Sequence, residues 1–144
     1  MKKKILFAAS ECVPFIKTGG LADVVGSLPK CFDKNKYDVR VILPKYMCMD
    51  GEWTDKMEYV DHFYMDLSWR NQYVGILKLE LDGVTFYFVD NEFYFSGPTP
   101  YSDIRYDLEK FAFFSKASID VMAYLDIIPD IIHCHDWQTG HDPV

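Results

Sequence analysis

An unbroken apolar run, Ile5-Leu6-Phe7-Ala8-Ala9, is followed by a glycine-containing loop, an amphipathic segment and a second run, Asp38-Val39-Arg40-Val41-Ile42-Leu43, all within about forty residues. Apolar runs without alternation suit strands buried on both faces, as in a parallel sheet. Parallel neighbours cannot be joined by a tight hairpin and need a crossover. Leu21, Val24, Val25, Leu28 and Phe32 recur at helical spacing and supply it. The unit reads as βαβ with a right-handed crossover. Pro14 disfavours helix at Val13, and Pro29 kinks the helix or ends it early.

The remainder extends the same sheet. Residues 45–58 are poorly patterned and read as a loop. Residues 59–67, 73–81 and 84–89 read as strands, with Asp82-Gly83 as the hairpin turn between the last two. This middle block is a partly antiparallel insertion or edge. Residues 91–101 form a loop rich in aromatic rings. Asp103 is placed to cap a long helix reaching about Leu125. Ile104, Leu108, Phe111, Ile119 and Met122 share one face of it, widened by Phe114, Val121 and Tyr124. Asp130-Ile131-Ile132-His133-Cys134 is a final strand. The expected fold is α/β: a Rossmann-like, mostly parallel sheet with helices on both faces, in one domain over residues 1–144.

Composition excludes several classes. Hydrophobic residues make up 49% and aromatics 17%, enough for a core and too much for disorder. A formal net charge of −7 argues against nucleic acid or an anionic membrane as partner. No run approaches transmembrane length. Met1-Lys2-Lys3-Lys4 faintly resembles a signal peptide, but the apolar run behind it is short and Glu11 follows directly. The four cysteines form no C-x-x-C pair and read as reduced thiols of a cytoplasmic protein.

Two polar clusters could carry chemistry. Lys17-Thr18-Gly19-Gly20 opens the first helix. Free backbone N–H groups and a partial positive charge gather at such a start, glycine admits a close approach, and lysine adds a mobile charge. The stretch is neither G-x-x-x-x-G-K nor G-x-G-x-x-G. An anion site and a plain tight turn with a solvated lysine both fit. His133-Cys134-His135-Asp136 is the second cluster. His133 and His135 fall on one side of a strand, as metal ligands can, but no third ligand follows at usual spacing. Position offers the other reading: ligands of open α/β sheets bind beyond the carboxyl ends of strands, where Lys17, His135, Asp136 and Trp137 all fall. The rings from Phe93-Tyr94-Phe95 to Tyr101 either stack on sugar faces or simply pack.

Residues 3–24, with Ser10-Glu11 and Lys17-Thr18-Gly19-Gly20-Leu21-Ala22-Asp23-Val24, closely resemble the start of bacterial glycogen synthases and plant starch synthases. So do Asp38-Val39-Arg40-Val41-Ile42-Leu43-Pro44, residues 105–115, and His133-Cys134-His135-Asp136-Trp137-Gln138-Thr139-Gly140. The resemblance implies the GT-B architecture, two Rossmann-like domains facing across a cleft. It implies transfer of glucose from ADP-glucose to the non-reducing end of an α-1,4-glucan such as glycogen, with retention and no cofactor. Lys17, Gly19 and Gly20 then resemble the donor-phosphate site. Asp136 and Tyr101 resemble acceptor-side residues, with His135 and Trp137 beside Asp136. On this reading residues 1–144 are a truncated amino-terminal, acceptor-side domain, inactive alone, because the nucleotide-binding domain is not among them. His141-Asp142 departs from the apolar residues the family usually has there. The rival is a stand-alone anion- or glucan-binding module. A flavodoxin-like regulatory domain would want an acidic cluster after the first strand, where Glu11 stands alone.

Overall fold

The computed structural model describes residues 2–67, 70–97, 99–101 and 103–134. β1 (Lys3–Ala8) leads through a loop to α1 (Gly20–Ser27), which tightens into a 3-10 turn, Leu28–Cys31, at Pro29. β2 (Tyr37–Pro44) and a short α2 (Gly51–Thr54) follow. β3 (Glu58–Leu67), β4 (Arg70–Leu81) and β5 (Val84–Asp90) form a meander. α3 (Ile104–Tyr124) then crosses back to β6 (Ile131–Cys134).

The six strands lie in the order β3-β4-β5-β2-β1-β6. β6, β1, β2 and β5 pair in parallel, and β4 runs antiparallel to both β3 and β5. The mostly parallel sheet with an antiparallel edge is thus present. Asp82 (φ 53°) and Gly83 (φ 78°) make the left-handed pair that a two-residue hairpin needs.

Register assigns the two faces. Phe7 pairs with Val41 and Val41 with Phe86, so the three share one side. There Phe7 meets Phe32 at 5.9 Å, and Phe15 meets Phe86 at 4.8 Å and Phe88 at 5.1 Å. Leu6 and its partner Ile132 face the other way. With Met122 and Ile128 they line an apolar groove of about 270 Å³ beside α3. The crossovers from β1 to β2 and from β5 to β6 travel across the sheet in opposite directions. Right-handedness therefore puts their helices on opposite faces.

Two local expectations change. The stretch read as loop contains α2, one turn capped by Asp50, whose carboxylate accepts the Glu52 N–H at 3.0 Å. So short a helix leaves no periodicity to detect. On α3, Phe111, Phe113, Phe114, Ala117 and Val121 are buried, whereas Leu108, Ile119 and Tyr124 are exposed. The buried face also holds Asp107 and Lys110, paired at 3.2 Å, and Lys110 donates to the Pro100 carbonyl at 2.6 Å. Asp103 occupies the N-cap position of α3 but makes no side-chain cap bond.

Gly26 lets α1 lie directly on the loop before it. A Cβ there would sit 2.3 Å from Val13 Cγ2 and 2.8 Å from the Val13 carbonyl oxygen. Gly26→Ala is therefore expected to destabilise the chain by about 1–3 kcal/mol, overriding the helix propensity alanine gains. An unchanged urea midpoint would show that the loop yields freely.

Candidate active site at the sheet rim

The carboxyl ends of β1, β2, β5 and β6 lie at one rim because these strands are parallel. The loop after β1, the residues after β2 and the 91–101 loop after β5 meet there. Glu11, buried at 2% exposure, joins the first of these to the last. Its Oε1 accepts the Ala22 N–H at 3.2 Å. Its Oε2 accepts the Thr18 N–H at 3.2 Å, the Thr18 hydroxyl, and the Tyr101 hydroxyl at 3.3 Å. Gly19, the N-cap residue of α1, has no side chain to cap with. Glu11 takes over that task from the preceding strand end and satisfies a first-turn donor.

Tyr101 is fixed from a second side. Its oxygen lies 2.6 Å from Ser10 Oγ. Since Tyr101 donates to Glu11, Ser10 is the donor in that bond. Tyr46 donates to the Ser10 carbonyl at 2.7 Å. Burial first, and then the Glu11 carboxylate, pushes Tyr101 up to about 12, so it stays a neutral hydroxyl at physiological pH. Burial likewise pushes Tyr46 well above its ordinary value.

Lys17 lies at the exposed edge of this network, its Nζ 2.7 Å from Asp23 Oδ2 in the first turn of α1. Both side chains are about half exposed, so the pair holds Lys17 near the helix start at little net energy. Gly19 is extended (φ −162°), a conformation any residue adopts, and a Cβ at Gly20 would meet nothing within 4 Å. What the glycines supply is therefore open space before the helix. The N–H of Gly20, first in α1, has no intrahelical acceptor by construction. Lys17, Gly19 and Gly20 thus share the loop that Glu11 holds through Thr18 and Ala22, and Tyr101 reaches the same carboxylate from the 91–101 loop.

His135, Asp136 and Trp137 lie outside the described residues, as do His141 and Asp142. The strand before them ends with Cys134 paired to Ala8, the last residue of β1. His133, itself exposed, rests against the Phe7 ring at 5.1 Å. Among the described residues no group of three His, Cys, Asp or Glu side chains could hold a metal ion, and no helix is long and apolar enough to cross a membrane. Cys12, Cys31 and Cys48 are free thiols. Burial pushes Cys12 up to about 12, which makes it inert.

Sequence reasoning missed Glu11 as the organiser. The available signal was a helix opening on Gly19-Gly20 with no capping side chain of its own, and a lone carboxylate stranded after an apolar strand.

The fold and the rim define a Rossmann-like α/β domain whose first helix opens on a glycine pair beside a hydrogen-bonded tyrosine. Residues 4–144 match the family model described as the starch synthase catalytic domain. The chain is 65% identical over 142 residues to the glycogen synthase of Lachnospira eligens and 63% identical to that of Lachnoclostridium phytofermentans. Each match covers 99% of this chain and 30% of the relative, so the chain spans less than a third of their length. The catalytic domain of starch synthase IV from Arabidopsis thaliana, bound to ADP and acarbose, superposes with a TM-score of 0.87 at 29% identity, covering 99% of this chain and 29% of that one. This chain belongs to the starch synthase catalytic domain family, a family of glycosyltransferases.

Proposed function

We propose that the protein carrying this chain transfers glucose from ADP-glucose to the non-reducing end of an α-1,4-glucan such as glycogen, with retention, in the cytoplasm and without a cofactor. In this reading residues 1–144 belong to the amino-terminal, acceptor-side domain of a GT-B enzyme, and other parts of the protein supply the nucleotide-binding wall. The carrying observation is the open start of α1, with Lys17 tethered beside it and Glu11 fixing the loop. The chemistry follows from charge. Cleavage of the sugar–phosphate bond leaves negative charge on the diphosphate, and preorganised donors are worth most where charge develops. Lys17 and the Gly20 N–H are such donors. Glu11 is no rival for them, because its own charge is already satisfied by Thr18, Ala22 and Tyr101. Tyr101 and Asp136, with His135 and Trp137, act on the acceptor side. The ADP-bound relative supports an adenine donor.

The test is transfer to glycogen by the intact protein from ADP-glucose and from UDP-glucose, with wild type and Lys17→Ala compared. The substitution should reduce turnover at least about tenfold, the scale of one charge-assisted contact of roughly 1.5–3 kcal/mol. Wild-type kinetics in a folded variant would return Lys17 to the role of a solvated lysine.

A further inference from the structure

Beyond β5, on the flank of the rim away from Glu11, Gln72, Tyr73, Asp90, Asn91, Glu92 and Phe93 line a cleft of about 370 Å³. We infer that this cleft is a sugar subsite, which holds a stretch of α-glucan remote from the reacting end. The inference rests on the glucan reading above.

The rings at the cleft are not spent on the core. Phe93 is 54% exposed, whereas Tyr94 and Phe95 beside it are buried. Its orientation is set by Arg70, whose guanidinium lies 5.6 Å from the ring centre and pairs with Glu109 at 3.3 Å. Tyr73 owes its position to a missing side chain. A Cβ at Gly75 would come within 2.9 Å of the Tyr73 ring and 3.0 Å of Asp90 Cβ, so the ring leans over Gly75 toward Asp90. His62 stacks on Tyr73 at 5.4 Å, and Tyr64, mostly exposed, meets it edge-on at 5.9 Å. The aromatic surface thus continues onto the β3–β4 hairpin.

The polar groups divide into floor and contacts. Asn91 is the floor: it donates to the Tyr73 carbonyl at 2.8 Å and to Gln72 Oε1 at 3.4 Å, and accepts the Tyr94 N–H at 3.0 Å. Asp90 and Glu92 take no salt bridge among the described residues. Two carboxylates repel a phosphate, so an anionic ligand is disfavoured. They accept hydroxyl donors well, and aromatic walls pack against the C–H face of a pyranose. Convergent polar groups between aromatic walls are the make-up of a small-molecule site, here for a neutral polyol. The 91–101 loop carries the cleft at one end and Tyr101 at the other, so a long acceptor engages both and a short one only the rim.

The experiment compares wild type, Phe93→Ala, Tyr73→Ala and Glu92→Gln as intact proteins. Glycogen binding is read by affinity electrophoresis, and transfer is read with maltotriose and maltoheptaose as acceptors. Phe93→Ala, at an exposed position, guards against misfolding of the Tyr73 variant. Expected are about fivefold weaker glycogen retention and a similar rise in KM for maltoheptaose, with kcat and the KM values for maltotriose and ADP-glucose unchanged. Wild-type retention in folded variants, or equal KM changes for both acceptors, would overturn the subsite, as would a wild type that glycogen does not retain. Ring-dependent retention without transfer would instead overturn the proposed activity and leave the subsite standing. Transfer with unaffected variants would do the reverse.

Discussion

The 144-residue chain alone, supplied with ADP-glucose and glycogen, is expected to transfer no glucose above a no-protein control. A glycosyl donor must be held with its reacting carbon aligned to the acceptor hydroxyl, and that positioning supplies much of the rate. In the proposed reading Lys17 and the start of α1 form one wall. The charge developing on the leaving diphosphate would face water on the other side instead of oriented donors. One half-exposed lysine and a helix end correspond to roughly millimolar anion binding, about 4 kcal/mol. A radiolabelled-transfer assay decides the matter. Incorporation that disappears in Lys17→Ala would demand a complete active site within these residues and end the two-wall reading.

Glu11→Ala is expected to be strongly destabilising, costing about 3–5 kcal/mol of a total of roughly 5–15. The carboxylate serves two backbone N–H groups and two hydroxyls from three residues, Thr18, Ala22 and Tyr101. The hydroxyls can rotate toward other partners. The Thr18 and Ala22 N–H groups cannot, and each orphaned donor costs about 1–3 kcal/mol. Glu11→Gln is not silent, since its amide NH2 must point at an N–H donor on one side. Its expected cost is about 1–3 kcal/mol. Tyr101→Phe removes a single hydroxyl and should cost less than either. Urea unfolding at constant m ranks the three. A wild-type midpoint for Glu11→Ala would mean that the loop has another support.

The parallel core was legible because Ile5 to Ala9 and Val41 to Leu43 are buried on both faces and announce it with unbroken apolar runs. The turn at Asp82-Gly83 was legible because only a few residue pairs accept its backbone angles. The face of α3 was misread for a physical reason. Periodicity sorts residues by polarity, but Asp107 and Lys110 neutralise each other inside, while Leu108 and Ile119 are left outside. Lys17, Gly19 and Gly20 could be found from local chemistry. The local sequence hinted at Glu11 as the cap of the helix start, but not at its link to Tyr101, which joins positions 90 apart in the chain. The placement of the β5 cleft likewise depends on the antiparallel edge, which brings Tyr73 on β4 beside Asp90 on β5.

The outer partner of β1 is β6, with Ile5 opposite Ile131, and Lys4 and Asp130 exchange two hydrogen bonds at its margin, 2.7 and 2.8 Å long. On a ribosome this means that β1 is made well before the strand that encloses its outer edge. The roughly 120 residues between the two strands take about 6–25 s to synthesise at about 5–20 residues per second. Throughout that interval the apolar run Ile5 to Ala9 waits with one edge unpaired, in an environment crowded with other nascent chains. Slowing translation within this stretch should lengthen the wait and raise the share of newborn chains bound by chaperones, while the finished protein stays the same.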